Sequence, residues 1–198
     1  MPFGHSASTE LEKRVSASRT DLKPQRKYFR WEAIAAGIMV LVPLIGAIAI
    51  PNLMQSRTAA NEAAEASTVL TLNTVQFTYS NKYPLSGFAP NLAALGPGAD
   101  GHCGGGPSRS HACLIDASLG CTAGTSRKWC VKDAFRYSIT GSCQSNICVD
   151  YVIVATPVNP TTGAKNFCSI TDAVIRYQTG PPLASPVTQS KCKSWAPL

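Results

Sequence analysis

A chain of 198 residues with eight cysteines and a formal net charge of +7 is long enough for one domain with a real core and short for two. The charge excludes less than it suggests, because residues 1–30 concentrate Lys13, Arg14, Arg19, Lys23, Arg26, Lys27 and Arg30 against only Glu10, Glu12 and Asp21. The remaining excess is scattered, with no basic helix and no aromatic–basic stripe, so no nucleic-acid partner is expected.

Residues 1–28 read as a basic cytoplasmic leader, because Lys and Arg beside an apolar run mark its cytoplasmic end. The run itself, Trp31 to Ile50, is WEAIAAGIMVLVPLIGAIAI, and residues 29–50 are assigned as a transmembrane helix. Pro43 removes an amide donor in mid-span, while Gly37 and Gly46 offer a small-residue surface for a neighbouring helix. Glu32 sits in the first turn, where the helix dipole favours a carboxylate. Ala47-Ile48-Ala49 has the small-x-small form of a secretory cleavage site, but the apolar stretch is long for a signal and Pro51 follows the cut closely.

From 51 to 82 the text continues without glycine or a second proline. Leu53, Ala60, Ala63, Val69, Leu70, Leu72, Val75 and Phe77 recur at three- and four-residue steps, with Gln55, Arg57, Asn61, Glu62 and Glu65 on a wet side. This predicts an amphipathic extension of the helix, stopped at Tyr83-Pro84.

Residues 83–198 read as a disulfide-rich β head outside the cytoplasm. The stretch from Leu85 to Ser126 is crowded with Gly, Pro, Ser and Cys and predicts little regular structure. AFRYSIT (134–140), VDYVIVAT (149–156), NFCSIT (166–171) and AVIRYQ (173–178) predict about four antiparallel strands. The lower helix is the available cover for their apolar face. All eight cysteines, Cys103, Cys113, Cys121, Cys130, Cys143, Cys148, Cys168 and Cys192, lie in this region. An even count confined to one region reads as disulfides formed in an oxidising compartment, and eight cysteines allow 105 pairings. The short separation of Cys143 and Cys148 suits a local bridge.

Chemistry-bearing patterns are sparse. His102 and His111 in HCGGGPSRSHAC flank two cysteines, but disulfide formation removes those thiols as ligands, so no metal is expected. Gly104 to Gly106 lacks the Lys-Ser/Thr ending of a phosphate loop, and no serine sits in a G-x-S-x-G elbow. Asp100, Asp116, Asp133, Asp150 and Asp172 are separated by turns and cysteines, with no evident acid/base pair. Arg127, Lys128 and Lys132 near Trp129 could serve a glycan, a polyanion or a neighbouring subunit. A non-enzymatic protein without cofactor is expected, and a binding module for surface glycans or receptors is compatible with that.

The segment GAIAIPNLMQSRTAANEAAEASTVLTLNTVQFTYSNKYP resembles the N-terminal helix of type IV pilins and of the pseudopilins of type II secretion. The resemblance covers about Trp31 to Pro84, with looser likeness in DYVIVATPVNPTTGAKNFC and DAVIRYQ. It implies an α+β lollipop: a long transmembrane-plus-amphipathic helix packed on a small antiparallel sheet, with no catalytic site. By position, Pro51 matches the family's proline after the apolar segment, Pro43 stands where glycine is common, and the family's first-turn glutamate falls at Ile34, with Glu32 two positions early. RKYFRWE lacks the glycine required for leader processing. The expectation is a structural or accessory subunit held in the cytoplasmic membrane by an uncleaved leader, its partners being lipid, other transmembrane helices or copies of itself. The alternatives are a pilus or pseudopilus filament subunit and, remotely, an envelope enzyme or metal-binding domain.

Overall fold

A computed structural model describes residues 26–121 and 128–198, with side chains at 39, 52–121 and 128–198. The chain divides into two compact units, Met1–Asn52 and Leu53–Leu198. One helix, α1 (Arg26–Lys82), runs through the boundary. The second unit adds short helices α2 (Leu92–Leu95), α3 (Ala117–Gly120) and α4 (Gln189–Lys193). Its strands are β1 (Cys130–Lys132), β2 (Phe135–Gln144), β3 (Ile147–Pro157), β4 (Lys165–Ile170), β5 (Arg176–Thr179) and β6 (Ala196–Pro197).

The six strands form one antiparallel sheet in the order β1-β2-β3-β4-β5-β6, so each strand lies beside its neighbour in sequence. The long β2–β3 hairpin turns through Ser145 and Asn146, both at positive φ (47° and 70°), which suits a two-residue turn matched to the strand twist. Period-two alternation along β3 sends Tyr151, Ile153 and Ala155 into a cluster with Val69, Leu72 and Phe167, and Val152 and Val154 into another with Cys168, Ile170, Cys192 and Trp195. Residues 53–82 of α1 cover the first cluster, burying Glu65, Val69, Leu72, Asn73, Gln76 and Tyr79 at helical spacing. The segment after β5, including α4, covers the second, tethered by the Cys168–Cys192 disulfide.

Several expectations are corrected. Among the described residues no helix is long and apolar enough to cross a membrane. This overturns the transmembrane assignment of 29–50, the single-pass membrane localisation, and the lipid and transmembrane-helix partners. The positions assigned to helix packing, Glu32, Gly37, Pro43, Gly46 and Pro51, have side chains outside the described residues, as does the leader 1–25. Over residues 53–82 of α1 polar residues interrupt every apolar run, and the buried face packs on the sheet. The pilin-like lollipop is likewise replaced by an α+β unit that has, among the described residues, six strands rather than four and three short helices beyond α1. The extra strands, β1 and β6, span three and two residues, too short for a visible alternation. α2 and α3 arise where irregular structure was expected, each started by an N-cap side chain, Asn91 and Asp116, that accepts backbone N–H groups. The amphipathic pattern also shifts: Leu53, Leu70 and Phe77 are exposed, while Glu65, assigned to the wet side, is 2 % exposed.

Candidate ligand cleft

Four separate stretches of the second unit converge on one open cleft of about 580 Å³, a size usual for small-molecule sites. Its base is the last turns of α1, where Tyr79 is buried. Residues 86–90 form one wall, stitched to the β2–β3 hairpin by Cys148 N–H donating to the Ser86 carbonyl (2.9 Å), Phe88 N–H to Cys148 (2.9 Å) and Gly141 N–H to Pro90 (2.9 Å). The stitch requires glycine at 87: φ is +66°, and a Cβ there would lie 2.2 Å from the Cys148 carbonyl oxygen. The Gln76 side chain clamps the wall from below, accepting from Ala89 N–H (2.8 Å) and donating to the Ala89 carbonyl (3.2 Å).

The opposite wall is the turn 108–111, closed by reciprocal backbone bonds between Ser108 and His111. Tyr79 donates its hydroxyl to the Arg109 carbonyl at 2.6 Å, fixing this turn to the helix. Burial pushes the Tyr79 phenol above its ordinary range, helped by Tyr83, so it remains a neutral donor at physiological pH. The Cys103–Cys113 disulfide closes the loop carrying this turn, and Cys143–Cys148 closes the hairpin end that rims the cleft. The other two bridges are Cys121–Cys130 and Cys168–Cys192, so all eight cysteines are paired.

The lining combines an apolar floor, including Pro90, Ala93 and Ala94, with the polar side chains of Ser86, Asn91, Arg109, Ser110 and Asn146. Among the described residues no carboxylate lines it. Asn91 uses its Oδ1 to cap α2, accepting from Ala94 N–H, and its amide N–H groups donate to no protein acceptor among the described residues.

A second, smaller cavity of about 60 Å³ lies between α1 and the β1–β2 turn. Glu65 reaches it, accepting from the Tyr137 hydroxyl at 2.6 Å through Oε2, while buried Oε1 has no protein partner among the described residues. Burial raises the Glu65 pKa from 4.5 to about 8, overriding the Tyr137 hydrogen bond, with Asp133 adding to the rise. Lys132 also lines this cavity, but its ammonium pairs with Asp116 at 2.6 Å. The same burial and the Glu65 charge push the Tyr137 phenol far upward.

The residues singled out by sequence fall elsewhere. His102 and His111 do not line the cleft; His111 Nδ1 instead lies 2.9 Å from Ser108 Oγ and 3.1 Å from Ser110 Oγ, within their own turn. Among the described residues no group of three or more His, Cys, Asp or Glu side chains could hold a metal. The Trp129 neighbourhood is built into the domain: Arg136 lies over its ring at 5.4 Å and its indole N–H donates to the Ala184 carbonyl. Arg127 lies outside the described residues.

A scan against family models finds no match, and comparisons with curated proteins and with solved structures find none either. Together with the lack of any membrane-spanning helix among the described residues, this removes the ground for the type IV pilin or pseudopilin assignment and for a pilin-like membrane or filament subunit.

Proposed function

We propose that the unit Leu53–Leu198 is a non-enzymatic binding domain, braced by four disulfides for an oxidising environment, that holds a small polar ligand in the cleft between residues 86–94, 109–110 and the β2–β3 hairpin. The observation that carries this reading is the construction of the cleft. Each wall is fixed to the core by named hydrogen bonds or a disulfide, while the side chains of Ser86, Arg109 and Asn146 make no hydrogen bond to protein among the described residues and Asn91 commits only its Oδ1, to the cap of α2. Rigid walls with uncommitted polar groups lower the ordering cost of binding.

The non-catalytic part of the reading is supported by how Ser110, a hydroxyl of the lining, is placed. Its imidazole neighbour, His111, is outside the lining and is shared with Ser108, so no base is dedicated to activating it. The test is ligand-observed NMR on the disulfide-intact protein with a panel of neutral sugars, sugar acids and short peptides, repeated on Ala93→Trp, which fills the cleft. At least one class binds in the millimolar range or tighter, loses binding in the variant, and is recovered unchanged after prolonged incubation. A panel without binders, binding indifferent to Ala93→Trp, or conversion of a bound compound contradicts the proposal.

A further inference from the structure

We infer that the cleft selects a carboxylated sugar, a uronic-acid-type residue, through Arg109; this rests on the binding-domain reading above. Among the described residues Arg109 is the only charged one lining the cleft, and it makes no ion pair there. Its backbone is held by the Tyr79 hydroxyl at 2.6 Å, so the guanidinium is carried on a fixed turn although the side chain itself is exposed. A guanidinium presents its donors in a planar fork that matches a carboxylate two-to-two, and among the described residues no acidic side chain lines the cleft to compete for it.

The rest of the lining argues for a hydroxylated ring behind that carboxylate. The side-chain amide of Asn146 and the hydroxyl of Ser86 can each donate and accept, and the Asn91 amide can donate, which suits vicinal hydroxyls. Pro90 and Ala93 supply a small apolar floor of the kind a sugar's C–H face can cover. The surrounding charge points the same way: from residue 53 onward eleven Lys/Arg face seven carboxylates, giving a net attraction for anions.

The experiment is calorimetric or NMR titration of the full chain with galacturonate, galactose and N-acetylglycine, on the native protein and on Arg109→Ala and Arg109→Lys. Galacturonate is expected to bind roughly three- to tenfold tighter than galactose, the scale of a bidentate but solvent-exposed Arg–carboxylate pair. Arg109→Ala is expected to abolish that preference while leaving the melting temperature unchanged, and Arg109→Lys to retain part of it. Equal binding of the two sugars, or a preference that survives Arg109→Ala, overturns the acidic-sugar assignment while leaving a binding cleft in place. N-acetylglycine binding as tightly as galacturonate overturns the sugar and identifies a bare carboxylate as the ligand. Binding of none of the three, together with a panel without binders, overturns the binding-domain reading itself.

Discussion

The two faces of the sheet are covered by different means. The face carrying Tyr151, Ile153 and Phe167 lies under a regular helix, and its seam includes buried polar contacts: Tyr151 donates to Asn73 Oδ1 at 3.0 Å, Asn73 to Ser169 at 2.9 Å, and Tyr137 to Glu65 at 2.6 Å. The face carrying Val152, Val154 and Ile170 lies under an irregular segment held by a disulfide and by backbone-directed bonds, such as Leu183 N–H to Thr156 Oγ1 at 2.8 Å and Arg136 to the Leu183 carbonyl at 3.1 Å. A helix satisfies its own backbone and covers a sheet by side chains alone. A proline-rich segment cannot, so covalent and side-chain-to-backbone ties replace the missing regularity.

This contrast is sharpest under mutation. Phe167→Ala on the helix-covered face removes a ring packed 6.3 Å from Phe135 and is expected to cost about 3–5 kcal/mol in chemical denaturation, as large cavities do. A cost under about 1 kcal/mol would mean that the helix does not rest on that face as described. Replacing Cys168 and Cys192 together by serine opens a link of 24 residues and is expected to cost about 3 kcal/mol, with the loss concentrated in the segment 180–198 by hydrogen exchange. Uniform loss of protection across α1 and the sheet would show the two covers to be one cooperative layer instead.

The third effect is conditional on pH and belongs to the helix seam alone. Since the folded Glu65 pKa lies above the unfolded value, the unfolded chain ionises first as pH rises. Stability from this group is complete below about pH 4.5, declines above it, and is lost as pH passes about 8; the full span is up to about 5 kcal/mol. The groups facing the carboxyl are Tyr137 and Asp133 on the sheet side and Asn61 and Thr68 on the helix, with Lys132 diverted to Asp116. Glu65→Gln is therefore expected to flatten the decline between about pH 5 and about pH 8 and to be more stable than the native chain at the upper end. Parallel urea curves for the two proteins over that range would show that Glu65 is not the source.

Sequence pattern made the sheet interior accessible and the site inaccessible, for physical reasons. Strand segments at 134–140, 149–156, 166–171 and 173–178 overlap β2 to β5 because branched and aromatic residues repeat there over a strand's length. Asp172 and Ala173, the latter at φ +57°, delay β5 to Arg176. Glu65 was unreadable as a buried residue because its partner, Tyr137, is 72 positions away and only folding brings them together. The cleft was hidden for the same reason: Tyr79, Asn91, Arg109 and Asn146 come from four stretches, and none carries a local motif. The cap residues Asn91 and Asp116 were the available signal for α2 and α3, each being an Asn or Asp just before a short Ala/Leu-containing run.

The cleft is the centre of this account, and its most direct test is a backbone amide NMR titration of the disulfide-intact protein with galacturonate. Shifts are expected to concentrate at Ser86, Asn91, Arg109, Ser110 and Asn146, to saturate together and to vanish in Ala93→Trp. Shifts confined to the opposite face of the sheet, around Trp195 and Leu183, or no shifts at millimolar ligand, would contradict it.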